Sequence, residues 1–184
     1  MSSQLIKLSL PLLKGLSGRM FAFIARQPIL DREKDVFAYE LLFRDGKSGA
    51  YPELEPDKAK YIAQHFHPLG LDDISGEKKS FIHFNPDTLI SRFPTSLNPE
   101  SVVVQLNEPM APTPGLLEAC THIKHLGFSL AIDDPMMLSG KQDIFPLIDV
   151  VKVDVTKTNY DLIEKNIPRY LDANIKLVAE QVNT

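Results

Sequence analysis

Residues 21–46 read FAFIARQPILDREKDVFAYELLFRDG, which is two apolar runs on either side of a polar turn. The runs Phe21–Arg26 and Val36–Phe43 have the length and the aromatic and branched content of strands, and the charged segment Asp31–Asp35 between them is short. This stretch therefore predicts an antiparallel strand pair at the start of the fold.

Five further strand-like runs follow the pair. They are Ser80–Phe84, Val102–Leu106, Phe128–Asp133, Val150–Asp154 and Lys176–Val182. Short apolar strands that alternate with helix-length stretches are typical of βα units around a parallel sheet. The pattern predicts an α/β fold with seven strands, which fits an open sheet, whereas a closed eight-stranded barrel would need one more.

Helix boundaries are marked by local signals. Thr113 and Pro114 have the chemistry of a helix start, and Gly127 has that of a helix end. A second helix is predicted over about residues 159–171, and Asp57 is a suitable cap for a third over 58–66. On the first of these helices, Cys120 is expected to be a packed thiol rather than a nucleophile.

Composition excludes several classes of function. The chain has 184 residues, about one domain, and its net charge of −4 argues against nucleic-acid binding. Its single cysteine cannot form an internal disulfide or a thiolate zinc site. No apolar run approaches the ~20 residues of a membrane span, and no signal peptide is evident. We therefore expect a cytoplasmic protein without a membrane span.

Polar side chains stand at the end of almost every apolar run. They include Glu40, Arg44, His83, Asn85, Gln105, Glu108, Asp133, Asp134, Lys152, Asp154, Glu180 and Gln181. In an α/β barrel the carboxyl ends of the strands converge on one face, where function lies. Carboxylates gathered there suit Mg²⁺ or Mn²⁺, and with a lysine they suit phosphodiester hydrolysis. The competing interpretation is that polar residues mark the transition from strand to loop in any parallel sheet.

An ordered set of motifs resembles one known family. The motifs are QPIL, YELLFR, FIHFN, VVVQLNE, AIDD, VVKVD and LVAEQVNT, spread from Phe21 to Thr184. They are similar to EAL-type cyclic-di-GMP phosphodiesterase domains, and most similar to the divergent subgroup that precedes an HDOD domain in signalling proteins. The resemblance implies a TIM-like (β/α) barrel with an antiparallel first strand pair, incomplete at its C-terminus.

The resemblance also assigns roles to residues. Glu40, Asp133 and Asp134 match metal ligands, and Glu40 and Arg44 are expected to contact the dinucleotide. Lys152 and Glu180 would be catalytic if the domain is active, Lys152 lying near the attacking water.

Other positions depart from the family pattern. His83 stands where the family has a metal-binding asparagine, although Asn85 lies two residues on, and Gln105 replaces a metal-binding glutamate. Glu108 is retained, but Pro135 begins a loop that lacks the usual glycines, and Asn183 replaces the last glutamate of the family's AEGVE segment. A neutral amide cannot supply the negative charge that a divalent cation needs, so the metal site is expected to be weak.

The sequence therefore predicts a degenerate EAL-like domain of bacterial cyclic-di-GMP signalling, a ligand-binding or protein-interaction module. The alternative is an active metal-dependent phosphodiesterase that gives linear pGpG and uses Mg²⁺ or Mn²⁺; no cofactor is otherwise expected. Cyclic di-GMP, a protein partner and a second copy of the chain are the expected partners.

The predicted domain organisation has two parts. Residues 1–19 are an N-terminal extension, and residues 20–184 form the EAL-like domain, which stops before the family's last strand. We expect truncation to explain that stop; pairing with another chain and closure by residues 1–19 are the alternatives.

Overall fold

The structure is a computed structural model. It describes residues 4–10, 20–45, 71–106, 113–133, 144–157, 159–180 and 182. The chain divides into two compact units, the first over residues 1–82 and the second over residues 83–184.

The first unit is a sheet that begins antiparallel. Its elements are β1 (Gln4–Leu10), β2 (Met20–Leu30), β3 (Val36–Asp45), the short helix α1 (Leu71–Ser75) and β4 (Lys79–Phe84), which ends two residues into the second unit. Strand β2 pairs antiparallel with both β1 and β3, and β3 then pairs parallel with β4. The predicted antiparallel strand pair is thereby confirmed.

A tight polar turn joins β2 to β3. The Asp31 carboxylate accepts hydrogen bonds from the backbone N–H groups of Glu33 at 3.1 Å and Asp35 at 2.8 Å. Lys34 has a φ of 71°, in the left-handed region that side chains other than glycine occupy at a cost. The Asp31 side chain stabilises the chain reversal because its carboxylate accepts hydrogen bonds from backbone N–H groups within the turn.

Strand β1 lies within the segment predicted as an extension. The seven predicted strands correspond to β2–β8, and β1 brings the number in the described ranges to eight. Its register runs from Gln4 opposite Arg26 to Leu10 opposite Met20. Part of the N-terminal arm therefore extends the sheet along the free edge of β2.

The second unit consists of parallel βα repeats. Its strands are β5 (Val102–Leu106), β6 (Ser129–Asp133), β7 (Val150–Asp154) and β8 (Lys176–Glu180). Its helices are α2 (Pro86–Ile90), α3 (Pro114–His125) and α4 (Tyr160–Asp172), with 3₁₀ turns at Phe93–Ser96 and Phe145–Leu147. Each strand from β5 to β8 pairs in parallel with the next. The α/β class is confirmed.

The predicted start and stop signals define α3. The Thr113 side chain accepts a hydrogen bond from the N–H of Leu116 at 3.3 Å, and Pro114 occupies the first turn. Gly127 follows the helix with a φ of 92°, and its N–H donates to the carbonyl of Lys124 at 3.0 Å. The left-handed conformation explains the glycine, because a side chain there would be strained.

The core of the second unit lies between strands and helices. All residues of β5 are buried, as are the first four of β7. Helix α3 contributes Leu116, Ala119, Cys120 and Ile123 to this core. Strands that are apolar on both faces need cover on both, as in parallel sheets. The helix predicted over 58–66 lies outside the described residues, and within them no helix is long and apolar enough to cross a membrane.

Candidate functional site

Strand register places five of the predicted polar residues on one face of the second unit's sheet. Gln105 is opposite Ala131 and Asp133 is opposite Lys152, while Asp154 is opposite Glu180. Paired residues on parallel strands point the same way, and so do residues two apart on one strand. Asp154 therefore shares a face with Gln105, Asp133, Lys152 and Glu180, and the last four come one from each consecutive strand.

These four side chains form a continuous set of polar contacts, which we call the polar ladder. The Gln105 Nε2 donates a 2.5 Å hydrogen bond to Oδ1 of Asp133. The Lys152 ammonium lies 3.5 Å from that same Oδ1 and forms a closer ion pair with Oε1 of Glu180. Each contact joins neighbouring strands, so the ladder crosses the sheet from β5 to β8.

Lys152 is the most enclosed charge of the ladder. Its side chain is 1% exposed, whereas those of Asp133 and Glu180 are 26% and 28% exposed. A lysine is rarely buried to this degree without anionic partners, because desolvation of the ammonium is costly. The two carboxylates provide that compensation from opposite sides, one on β6 and the other on β8.

Several predicted site residues belong to the first unit or lie outside the described residues. Glu40 is a buried residue of β3 in the first unit, in register with Gln27 and Phe81. Arg44 lies on the same strand, but its side chain is outside the described part, as are Asp134 and Glu108 altogether. The ladder thus includes Asp133, Lys152 and Glu180 of the predicted set, together with Gln105.

His83 and Asn85 stand at the end of β4, and the structure gives Asn85 a local role. Its Oδ1 accepts hydrogen bonds from the N–H of Thr88 at 2.8 Å and from the Thr88 hydroxyl at 2.6 Å. It is therefore the N-cap of α2. His83 is half-buried on β4.

Two further titratable groups have shifted pKa values. The pKa of Asp154 is lowered, first by the hydrogen bond from the Thr156 hydroxyl at 2.6 Å, and also by the Thr156 N–H and by Lys157. Burial raises the pKa of the Cys120 thiol from 9.0 to about 11. Cys120 therefore has the properties expected of a packed thiol and not of a thiolate nucleophile.

A separate ion pair holds the opposite end of the strands. The Lys124 ammonium of α3 contacts both carboxylate oxygens of Asp149, at 2.6 and 2.5 Å. Asp149 also accepts a hydrogen bond from the N–H of Leu130 at 2.8 Å, so the pair connects the helix with the beginnings of β6 and β7. This end of a βα sheet is where a role in stability, rather than in function, is expected.

The described residues contain no group of three or more histidine, cysteine, aspartate or glutamate side chains placed to hold a metal ion. Within the ladder, the acceptor Oδ1 of Asp133 already receives an amide N–H and faces an ammonium.

Two curated proteins are similar to this chain in sequence. No family model matches the chain. The Bacillus subtilis protein YuxH, whose name calls it uncharacterized, is 30% identical over 172 residues, covering 90% of this chain and 42% of YuxH. The Vibrio cholerae cyclic di-GMP phosphodiesterase CdgJ is 36% identical over 142 residues, covering 76% of this chain and 33% of CdgJ. The chain spans less than half the length of both relatives.

Solved structures of other proteins share this fold. One is Klebsiella pneumoniae BlrP1, solved in complex with manganese and cyclic di-GMP at pH 9.0. The match covers 99% of this chain and 54% of the BlrP1 chain, with a TM-score of 0.66 and 20% sequence identity. An enzyme named as an EAL enzyme, Bd1971, matches 89% of this chain with a TM-score of 0.64. The chain has the fold and motif order of an EAL-type domain. Its predicted fold class, an incomplete (β/α) barrel with an antiparallel first pair, is confirmed.

Sequence reasoning missed two features of this EAL-type domain. It treated Gln105 only as a lost ligand, whereas the amide is a hydrogen-bond donor to Asp133. It also missed the ion pair between Lys124 and Asp149, which are 25 residues apart. The available signal was positional: an acidic residue immediately before an apolar strand, and a lysine in the last turn of a helix.

Proposed function

We propose that this EAL-type domain is a regulatory module of bacterial cyclic-di-GMP signalling that binds ligand or partner without hydrolysing the dinucleotide. The observation that carries the proposal is the hydrogen bond from Gln105 Nε2 to Oδ1 of Asp133. In this arrangement an amide N–H, with its partial positive charge, stands where a cation at Asp133 would approach.

The described donors do not fit the metal centre that the family resemblance implies. A divalent cation of the Mg²⁺ or Mn²⁺ type takes oxygen ligands, and an N–H directed at the same carboxylate oxygen competes with it. The Lys152 ammonium already compensates Asp133 and Glu180, since one positive charge lies between two negative ones. The single ammonium balances one of the two carboxylates, so the ladder keeps a net charge of −1.

Ligand recognition is supported by the relatives. BlrP1 was solved with cyclic di-GMP, and CdgJ is named for its action on that dinucleotide. In this chain Glu40 and Arg44, both on β3, are the residues that we propose contact it. Binding through these two side chains would need no catalytic metal.

A second candidate function is metal-dependent phosphodiesterase activity that yields pGpG. The observation that favours it is that the ladder gathers Asp133, Lys152 and Glu180 although they lie on three different strands. In this alternative Lys152 and Glu180 would be the catalytic residues and Glu40, Asp133 and Asp134 the metal ligands.

A hydrolysis assay separates the two functions. Purified chain is incubated with cyclic di-GMP and either Mg²⁺ or Mn²⁺, and pGpG is quantified by chromatography, with CdgJ as the positive control. We expect no product above the protein-free blank, and the same result for Asp133→Ala. Turnover that is lost in Asp133→Ala would establish the phosphodiesterase and reject the regulatory proposal.

Calorimetry without added metal then tests ligand binding. We expect saturable heat from cyclic di-GMP, and a weaker affinity in Arg44→Ala. Heat that is unchanged in Arg44→Ala would remove this residue from the site, and an absence of heat would leave a protein partner as the module's target. A protein partner, a homodimer and a cytoplasmic location stay predictions.

A further inference from the structure

We infer that Lys152 couples two events: the binding of a hydrogen-bond donor to the Asp133 carboxylate, and the firmness with which strand β8 is attached to the sheet. The ammonium is shared between Asp133 on β6 and Glu180 on β8. Because one cation divides its attraction between two anions, anything that satisfies Asp133 leaves Lys152 more fully to Glu180.

The strand that would respond is the least covered one in the second unit. No residue of β8 is buried, whereas every residue of β5 is. Within the described part of the second unit, β8 pairs with β7 over five residues, from Lys176 to Glu180. At its carboxyl end, the Glu180 side chain contacts the enclosed Lys152, and the Glu180 carbonyl accepts a hydrogen bond from the N–H of Val155 at 3.2 Å.

Helix α4 shares this loose attachment. Of its residues only Tyr170 is fully buried, and Leu171 is 61% exposed. The helix leads directly into β8, and the N–H of Ile175 donates to the carbonyl of Tyr170 at 2.8 Å. Regions with few buried contacts open at low free energy, so one side-chain contact changes their protection measurably.

The geometry gives the coupling a sign. A ligand group that donates to Asp133, such as an N–H of a nucleobase, competes with Lys152 for the carboxylate and thereby strengthens the contact between Lys152 and Glu180. Strand β8 and helix α4 become more firmly attached. The segment from Tyr160 to Glu180 is then the part of the domain whose local opening changes with the occupancy of Asp133.

Two substitutions of opposite effect test the coupling without any ligand. Hydrogen exchange of peptides from β8 is measured by mass spectrometry on the full chain, with β5 peptides as the internal reference for global opening. Glu180→Gln should speed β8 exchange by about tenfold, because the charged contact is weakened. Asp133→Asn should slow it several-fold, because the ammonium is no longer shared.

A merely structural network gives a different result. If the ladder only adds stability, Asp133→Asn loosens β8 or leaves it unchanged, and either result overturns the inference. Lys124→Met is the matched control: it removes a lysine–aspartate pair at the other end of the strands, and it should not change the ratio of β8 to β5 exchange. A change of that ratio comparable to the effect of Glu180→Gln would also reject a specific role for Lys152.

The hydrogen-exchange experiment with ligand rests on the proposed function, so its outcome is judged separately from that of the two substitutions. Cyclic di-GMP should slow β8 exchange in the native chain but not in Glu180→Gln, at concentrations that calorimetry shows to be saturating. Binding without this difference rejects the coupling. Absence of binding rejects the proposed ligand, while the two substitutions still decide on the coupling.

Discussion

At the end of strand β7, Asp154 is surrounded by hydrogen-bond donors. The Thr156 hydroxyl and N–H both reach its Oδ1, at 2.6 and 2.9 Å, and Lys157 approaches Oδ2 at 3.2 Å. All three favour the carboxylate over the carboxylic acid. The turn that follows β7 therefore depends on the ionisation of one side chain.

The acid dependence of stability should show this residue. The folded pKa of Asp154 lies below the unfolded value of 3.8, so its contribution to stability is present above that value and is lost as pH falls through the folded pKa. We expect Asp154→Asn to give a shallower loss of melting temperature from about pH 5 downward. Thr156→Val, which removes the first cause of the shift, should act in the same direction. If the melting temperatures of both variants fall with pH as steeply as that of the native chain, the assignment is contradicted.

At the scale of elements, local signals predicted the repeats well. Seven apolar runs became β2–β8, and the cap chemistry of Thr113 and Gly127 marked the ends of α3. These features follow from nearest-neighbour chemistry. Strand β1 was not predicted, because the breakers Pro11 and Gly15 interrupt the apolar residues of segment 1–19, which was therefore interpreted as an extension. Its pairing with β2 depends on tertiary contacts, which the local sequence pattern does not indicate.

The short helix α2 was also missed, although its signal was present. Asn85 followed by Pro86 is a cap and first-turn pair, and the structure uses both in that way. The contact of Gln105 with Asp133 is different, because it depends on the register of β5 with β6 and on a side-chain rotamer. The sequence therefore predicted that Gln105, Asp133, Lys152 and Glu180 stand at strand ends, but not the contacts between their side chains.

Gly127 offers a test of an element boundary. Gly127→Ala should lower the free energy of unfolding by about 1 kcal/mol, because alanine is strained in the left-handed conformation. The new Cβ would meet Pro99 at 3.8 Å, an ordinary contact, so the backbone is the cause. Gly115→Ala, within α3, is the control and should leave stability unchanged or raise it. Chemical denaturation measures both, and equal losses would refute the backbone explanation.

At the scale of the whole molecule, the single cysteine reports on unfolding. Cys120 is completely buried and its pKa is raised to about 11, so both access and thiolate formation are suppressed in the folded state. Labelling with a disulfide reagent at pH 8 should therefore require opening of the second unit.

The labelling rate should follow stability. Gly127→Ala should label about fivefold faster than the native chain, the factor that corresponds to ~1 kcal/mol of opening free energy. Gly115→Ala should not label faster than the native chain. Immediate labelling of the folded chain would show that Cys120 is accessible without opening.

The ion pair between Lys124 and Asp149 has a consequence for substitutions at the other end of the sheet. It fastens helix α3 to the beginnings of β6 and β7, at the end of the sheet away from Gln105 and Glu180. Substitutions at the carboxyl edge leave this contact in place, so the side chains of the polar ladder can change while the second unit keeps its fold.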